Sequence, residues 1–146
     1  MLYGGRLRIQ AVVRTIAAKV SRVHGPKAPY LSRVEALLME LGADLRLHMQ
    51  KEEWVLFPAI RAIEGGAPPG MPISAPIGVM EHEHDRAGGV LSELREITGG
   101  YVVPPWACET FRALYRGLCE LETTMHVHVH LENNVLFPRA LSAAQG

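Results

Sequence analysis

Apolar residues recur along this chain at alternating steps of three and four, which is the spacing of one face of an α-helix. Segments with this spacing predict helices at about residues 7–24, 33–64, 75–97 and 106–141. Glycine and proline stand at the breaks between them. Amphipathic helices in this succession predict an all-α, up-down-up-down four-helix bundle, with residues 1–146 forming one domain and residues 1–6 irregular.

Polar residues interrupt the apolar seams of these helices at positions where the spacing otherwise requires aliphatic side chains. They are His48 and Glu52 on the second helix, His84 on the third, and His128 and Glu132 on the fourth. Turning the glutamates to solvent would also expose the apolar residues of their seams, whereas burying them unpaired would cost on the order of several kcal/mol each. A bound cation resolves this conflict because it compensates the carboxylates and takes up the imidazole lone pairs.

The second and fourth helices carry the same motif, H-x3-E-x2-V-L-F-P, from His48 to Pro58 and from His128 to Pro138. Residues four apart on a helix lie on the same face, so each copy presents an imidazole and a carboxylate together. Exposed pairs of this kind also occur as weak ion pairs worth about a few tenths of a kcal/mol. The shared apolar seams argue against that alternative. We expect Pro58 to kink or shorten the end of its helix, because proline removes a backbone donor.

The remaining histidines are assigned differently. His24 ends the first helix, where it can be a metal ligand or a C-terminal residue favoured by the helix dipole, and spacing alone leaves both possibilities open. His82, His126 and His130 each lie two residues from a predicted ligand, about 200° around a helix. We therefore expect these three side chains to face solvent.

The predicted donors are imidazoles and carboxylates, without a thiolate. Structural zinc sites are usually closed and often use cysteine. Glutamates on facing helices instead bridge two ions in the di-iron and di-manganese bundle proteins. Two irons with an incomplete ligand shell would leave an exchangeable position for O2, peroxide or NO. The donor set therefore favours a carboxylate-bridged di-iron or di-manganese centre.

Composition excludes several other classes of protein. Fifteen basic and 15 acidic residues give a formal charge of zero, and no basic run marks a nucleic-acid-binding surface. Apolar stretches end well before the roughly 20 residues of a membrane span, and the N-terminus lacks the apolar core of a signal peptide, so we expect a cytoplasmic protein. Cys108 and Cys119 would lie about 16 Å apart on one helix, too far for a disulfide, and are expected to be buried thiols. Spacing along the sequence does not predict a Cys/His nucleophile.

Several segments together resemble a known family. They are RVH at 22–24, HMQKEEWVLFP at 48–58, EHDRAG at 83–88 and HVHLENNVLFPRAL at 128–141. The chain resembles the hemerythrin-like bundles and, among them, the di-iron iron–sulfur cluster repair (repair-of-iron-centres) family.

The resemblance implies a ligand set and a function. It implies that two irons are held by His24, His48, His84 and His128 and bridged by Glu52 and Glu132. The implied function is repair of iron–sulfur clusters damaged by nitrosative or oxidative stress, in which the bundle binds NO or O2 or supplies iron to iron–sulfur proteins.

The chain departs from the family pattern in two places. Where the family has a further histidine near the start of the first helix, this chain reads Leu2-Tyr3-Gly4-Gly5-Arg6, so that Tyr3 or water is expected to fill the position. The small N-terminal cysteine-containing domain of the family is also expected to be absent. Three alternatives to repair therefore stay open: an O2 or NO carrier or sensor, an NO-reducing or peroxide-consuming oxidoreductase, and a structural bundle with a vestigial metal layer.

Overall fold

A computed structural model describes the backbone of residues 2–66 and 72–145 and the side chains of residues 8–66 and 72–145. The α-helices are α1 (Leu2–His24), α2 (Leu31–Lys51), α3 (Phe57–Glu64), α4 (Ser74–Ile97), α5 (Glu109–Leu131) and α6 (Phe137–Gln145). A π-helical turn, Glu52–Leu56, joins α2 to α3 without a break, and a second, Glu132–Leu136, joins α5 to α6. No strand occurs in these ranges. The predicted all-α four-helix bundle is confirmed, with a π turn inside two of its four helices.

The first helix begins earlier than predicted. α1 starts at Leu2, whereas residues 1–6 were expected to be irregular. Gly4 and Gly5 each weaken a helix by about 1 kcal/mol relative to alanine. Helical packing of α1 against α2 and α5 outweighs that weak propensity. The predicted role of Tyr3 concerns a side chain outside the described residues.

Apolar side chains form two separate clusters along the bundle. The larger one is built by α1, α2, α4 and α5 and includes Leu38, Leu41, Leu94, Phe111, Leu114 and Leu118. The smaller one consists of Leu56, Ile73, Ile77, Met80, Phe137 and Ala140. On α2, α4 and α5 the polar residues that the sequence predicted lie between the two clusters. They therefore form a polar layer that is closed on both sides by apolar packing.

The π turns change which residues of the repeated motif are buried. The seam predicted from a regular helix includes Val55 and Val135, but these side chains are 37% and 38% exposed, while Leu56 and Phe137 are 0% and 1% exposed. In each π turn the N–H of the phenylalanine donates to the carbonyl of the glutamate five residues earlier. One extra residue per turn rotates everything that follows. A regular helical period therefore does not describe which side chains are buried after each glutamate.

Both cysteines are exposed and free, which corrects the expectation that they are buried and confirms that they are not disulfide-bonded. Cys108 lies just before α5 because that helix begins at Glu109 rather than near residue 106. Cys119 lies on α5 between the buried residues Leu118 and Leu121, on the outward side. Among the described helices, none is both long and apolar enough to cross a membrane.

Candidate metal centre

The structure brings together five of the six predicted ligands. His48 lies in the last turn of α2, His84 in the middle of α4 and His128 in the last turn of α5, while Glu52 and Glu132 begin the two π turns. All five are buried, with at most 8% of any of them exposed. The helical spacing of the motif and the antiparallel packing of the bundle therefore place them in one layer.

The two carboxylates lie between imidazoles from different helices. Oε1 of Glu132 is 2.8 Å from Nε2 of His84, 2.8 Å from Nε2 of His128 and 3.4 Å from Nε2 of His48. Oε1 of Glu52 is 2.9 Å from Nε2 of His48 and 3.7 Å from Nε2 of His128. One ligand atom from each of His48, His84, His128 and Glu132 lies within 4.8 Å of the others. This is a separation that one or two cations can span.

The fit to a cation can be tested on the carboxylate oxygens. Both oxygens of Glu52 and Oε2 of Glu132 are buried and receive no hydrogen bond among the described residues. The approach of His48 to Glu52 Oε1 is close enough for attraction between charges but lacks hydrogen-bond geometry. Buried carboxylate oxygens without donors are costly, and a cation between them removes that cost. Imidazole nitrogen with carboxylate oxygen is also a donor set that suits iron and other divalent transition metals.

The pKa values of the layer show how its charges are balanced by protons. Burial by itself lowers the pKa of His48, but contacts with the carboxylates of Glu132, Glu52 and Glu83 outweigh burial and raise that pKa to about 10. Burial by itself raises the pKa of Glu132. Hydrogen bonds with His128, His48 and His84 outweigh burial and lower that pKa far below its ordinary range. A proton on His48 thus occupies the place in the charge balance that a metal cation would take.

Contacts behind the rings orient two of the imidazoles. Nδ1 of His48 donates to Oε1 of Glu83 at 3.0 Å, and Oε2 of Glu83 also contacts Nζ of Lys51. Nδ1 of His84 donates to Oδ1 of Asn133 at 2.8 Å. These partners turn both Nε2 atoms toward the centre, as the outer contacts of metal-bound histidines do.

Sequence reasoning missed Glu83 and Asn133. Each is the neighbour in sequence of a predicted ligand and stands in a segment that carries the family resemblance, and these are the signals that could have suggested them. Their hydrogen bonds cross between helices over 35 and 49 residues, so helical periodicity does not reveal them.

A cavity of about 130 Å³ adjoins the layer between α2 and α4. Its lining includes His48, His84 and His128 together with apolar side chains such as Leu45 and Met125. Asp44 and Arg86 also line it and form an ion pair of 3.3 Å at its exposed side. A space of this size can admit small molecules to the imidazoles.

His24 is not with the other predicted ligands, and we remove it from the set. Its ring contacts Trp106 and Phe111, and its Nε2 atom lies 3.2 Å from Sγ of Cys108. His24 lies beside the start of α2. His48 is 17 residues (48 − 31) further along that helix, which is a distance of about 26 Å. His24 is therefore at the opposite end of the bundle.

The three remaining histidines behave as predicted. His82, His126 and His130 are exposed on α4 and α5. Asn134 Nδ2 contacts Nδ1 of His130 at 3.1 Å on the helix surface. The prediction that these rings face solvent is confirmed.

Comparison with known proteins agrees with this geometry. Residues 6–140 match the hemerythrin HHE cation binding domain. Proteins named iron-sulfur cluster repair protein YtfE are similar over 126 residues, or 86% of this chain: that of Pectobacterium atrosepticum is 48% identical, that of Musicola paradisiaca 47% and that of Escherichia coli O1:K1 44%. The match covers 55%, 54% and 55% of those relatives, so the chain spans about half of their length. A buried layer of histidine and glutamate agrees with a cation-binding domain, and the match over residues 6–140 shows that the chain belongs to the hemerythrin HHE cation-binding domain family.

Proposed function

We propose that His48, Glu52, His84, His128 and Glu132 bind two iron ions and that the two glutamates bridge them. The proposal is carried by the three buried carboxylate oxygens that lack a donor where three Nε2 atoms converge. Three nitrogens and four carboxylate oxygens are more donors than one tetrahedral ion uses and fewer than two octahedral ions use. Two irons held in this way would keep exchangeable positions.

A further ligand from the start of α1 is part of the proposal. α1 packs against α2 with its C-terminal end beside the start of α2, so the first turn of α1 lies at the same end of the bundle as the polar layer. We propose that Tyr3 or a water molecule supplies an oxygen ligand there. If Tyr3 is bound, ferric protein will show visible phenolate-to-iron absorption that Tyr3→Phe abolishes. Unchanged absorption in Tyr3→Phe would leave water as the ligand.

We propose that the iron-loaded chain acts in repair of iron–sulfur clusters damaged by nitrosative or oxidative stress in the cytoplasm. Bound iron would supply exchangeable positions for NO or O2 and a store of iron. The residues around it orient the imidazoles, enclose the centre between two apolar clusters and admit small molecules through the cavity. The repair proteins named above, which match at 44–48% identity, support this function, and iron–sulfur proteins are the proposed partners.

Protein purified without oxygen tests both the di-iron centre and the repair activity. Elemental analysis and Mössbauer spectroscopy should give two irons per chain in a bridged pair. Addition of that protein to a hydratase whose [4Fe–4S] cluster has been damaged by NO should restore its activity. One iron or none per chain would contradict the di-iron centre. Two irons without reactivation would contradict repair by this chain alone.

The cavity beside the imidazoles favours a second candidate, a hemerythrin-like module that binds or senses O2 or NO. A stable oxygenated adduct without reactivation of the damaged enzyme would support that candidate. Formation of N2O from NO by the reduced protein would instead identify an NO-reducing oxidoreductase.

Glu132→Ala tests the bridging role. Because Glu132 contacts three imidazoles, its loss should reduce iron content to at most one ion per chain and lower the free energy of unfolding of metal-free protein by about 3–5 kcal/mol. His130→Ala, an exposed change on the same helix, is the matched control and should keep both irons. Two irons and an unchanged spectrum in Glu132→Ala would show that Glu132 is not a bridge.

A further inference from the structure

A thiol and an imidazole meet at the end of the bundle away from the polar layer. Sγ of Cys108 lies 3.2 Å from Nε2 of His24, although 84 residues separate them in the chain. The pair joins the end of α1 to the residue that precedes α5. Cys108 is exposed, so the sulfur is open to molecules in solution.

The imidazole of this pair is held in place from both its backbone and its ring. The carbonyl of His24 accepts hydrogen bonds from the N–H groups of Lys27 and Ala28, which fixes the turn after α1. Its ring packs against Trp106 and Phe111, with ring centroids 5.7 Å and 5.6 Å away. A base fixed beside a thiol is the arrangement that activates nucleophilic cysteines.

The pair lies at the start of a helix, with a lysine nearby. Cys108 is the N-cap of the 23-residue helix α5, and the first turn of a helix favours negative charge. Nζ of Lys27 lies 5.1 Å from the centroid of the Trp106 ring, which itself contacts His24.

We propose that Cys108 and His24 form a nucleophilic thiol–imidazole pair that undergoes thiol–disulfide exchange with small-molecule disulfides. In the tautomer with its proton on Nδ1, His24 accepts the thiol proton at Nε2. The Cys108 sulfur attacks one sulfur of R–S–S–R, a new S–S bond forms, and the original S–S bond breaks. The Cys108 sulfur is oxidised, the departing sulfur is reduced, and the departing thiolate takes up the proton from His24. The products are a mixed disulfide on Cys108 and one R–SH.

The second cysteine provides an internal control for this proposal. Cys119 is exposed on the same helix and lines a groove with Arg112 and Arg116. The groove residues include no histidine among those that the structure describes. Cys119 therefore reports how fast a thiol near positive charge reacts when no base is in contact with it.

The test compares single-cysteine variants of the full, metal-loaded chain. Cys119→Ser retains only Cys108, and Cys108→Ser retains only Cys119. Each is mixed with oxidised glutathione, and the mixed disulfide is followed by intact-protein mass spectrometry. We expect Cys108 to react at least about tenfold faster than Cys119. In urea the two thiols should react at equal rates, because unfolding separates Cys108 from His24.

Substitution of the base completes the test. His24→Gln in the Cys119→Ser protein should slow the reaction of Cys108 to about the rate of Cys119, whereas His126→Gln, an exposed change on α5, should leave it unchanged. If His24→Gln fails to fold, the comparison of the two cysteines beside intact His24 still decides. Equal rates for the folded single-cysteine proteins, or a rate that His24→Gln does not change, would overturn the proposal and leave the contact as a structural hydrogen bond. Iron content is expected to be the same in all these variants, so this result is independent of the metal centre.

Discussion

Metal binding should expel a proton from His48, and this can be measured. In the metal-free protein the carboxylates around His48 raise its pKa to about 10, so the imidazole is protonated at pH 7. A metal ion needs the neutral ring, because the proton and the metal compete for Nε2. Glu132 adds no proton to this balance at neutral pH, because its pKa is lowered and it is already ionised.

The expected magnitude follows from the difference between pH 7 and that pKa. Three pH units correspond to about 4 kcal/mol, or roughly a thousandfold weakening of metal binding at pH 7 relative to a ring that is already neutral. The logarithm of the apparent association constant should therefore rise with pH from 6 to 9 with a slope of at least about one. The slope should fall as the pH passes 10.

The assay is an anaerobic Fe(II) competition titration at several pH values, with released protons counted by an indicator in weakly buffered solution. Glu83→Gln provides the matched variant, because the amide oxygen still accepts from Nδ1 of His48 but carries no charge. It should lower the pKa of His48 and bring the end of the sloping region to a lower pH. His130→Ala should behave as the unsubstituted protein.

The same proton gives the metal-free fold an opposite pH dependence. A histidine whose pKa is raised on folding stabilises the fold fully below its unfolded value of 6.5, and that stability is lost as the pH rises through about 10. Metal-free protein should therefore become less stable between pH 7 and 10, while metal binding strengthens. Apparent affinity that is flat between pH 7 and 9, with no proton released, would refute the reasoning, since His48 would then be neutral before binding or outside the ligand set.

Two further predictions concern the bundle around the centre. Buried Glu122 pairs with Arg95, which lowers the pKa of Glu122 below its ordinary 4.5. Glu122→Gln should therefore lower the urea midpoint at pH 7, and the difference from the unsubstituted protein should disappear as the pH falls below 4.5. An equal effect at pH 3 would contradict the pairing. A Cβ at Gly42 would lie 2.4 Å from the buried Gln10 amide that donates to a backbone carbonyl of α2, so Gly42→Ala should destabilise by about 1–3 kcal/mol in urea unfolding. Gly89→Ala, where a Cβ meets open space in α4, should instead stabilise by about 0.5–1 kcal/mol. Stabilisation by both substitutions would show that helix propensity and not packing decides the result at Gly42.

The sequence predicted the depth of the polar layer because depth follows directly from helical spacing. His48 and His128 occupy seam positions in the last turns of the second and fourth helices, which run in the same direction in an up-down-up-down bundle, so the two interruptions lie at the same depth. The contacts of Glu83 and Asn133 could not be obtained in this way, because both side chains lie beside the seam and their reach depends on how two helices are rotated.

His24 shows a different limit. Its spacing allowed either a metal ligand or a residue favoured by the helix dipole, and the family resemblance favoured the metal ligand. The position of a residue along the bundle axis decides against that choice: His24 ends α1 beside the start of α2, while the centre lies at the end of α2. Its actual partner Cys108 is brought to it by the connection before α5, for which periodicity has no information.

The π turns explain why the repeated motif extends past its ligands. A regular helix would place the valine of V-L-F-P on the seam, and the proline ring would clash with the carbonyl four residues earlier. The wider turn that begins at each glutamate relieves this clash and rotates leucine and phenylalanine inward, so that Leu56 and Phe137 close the second apolar cluster over the centre. Phe137 also stacks on His84, with ring centroids 5.8 Å apart and planes within 8°. The segment after each histidine–glutamate pair thus closes one end of the polar layer, because the π turn couples the backbone at each carboxylate to the apolar packing beyond it.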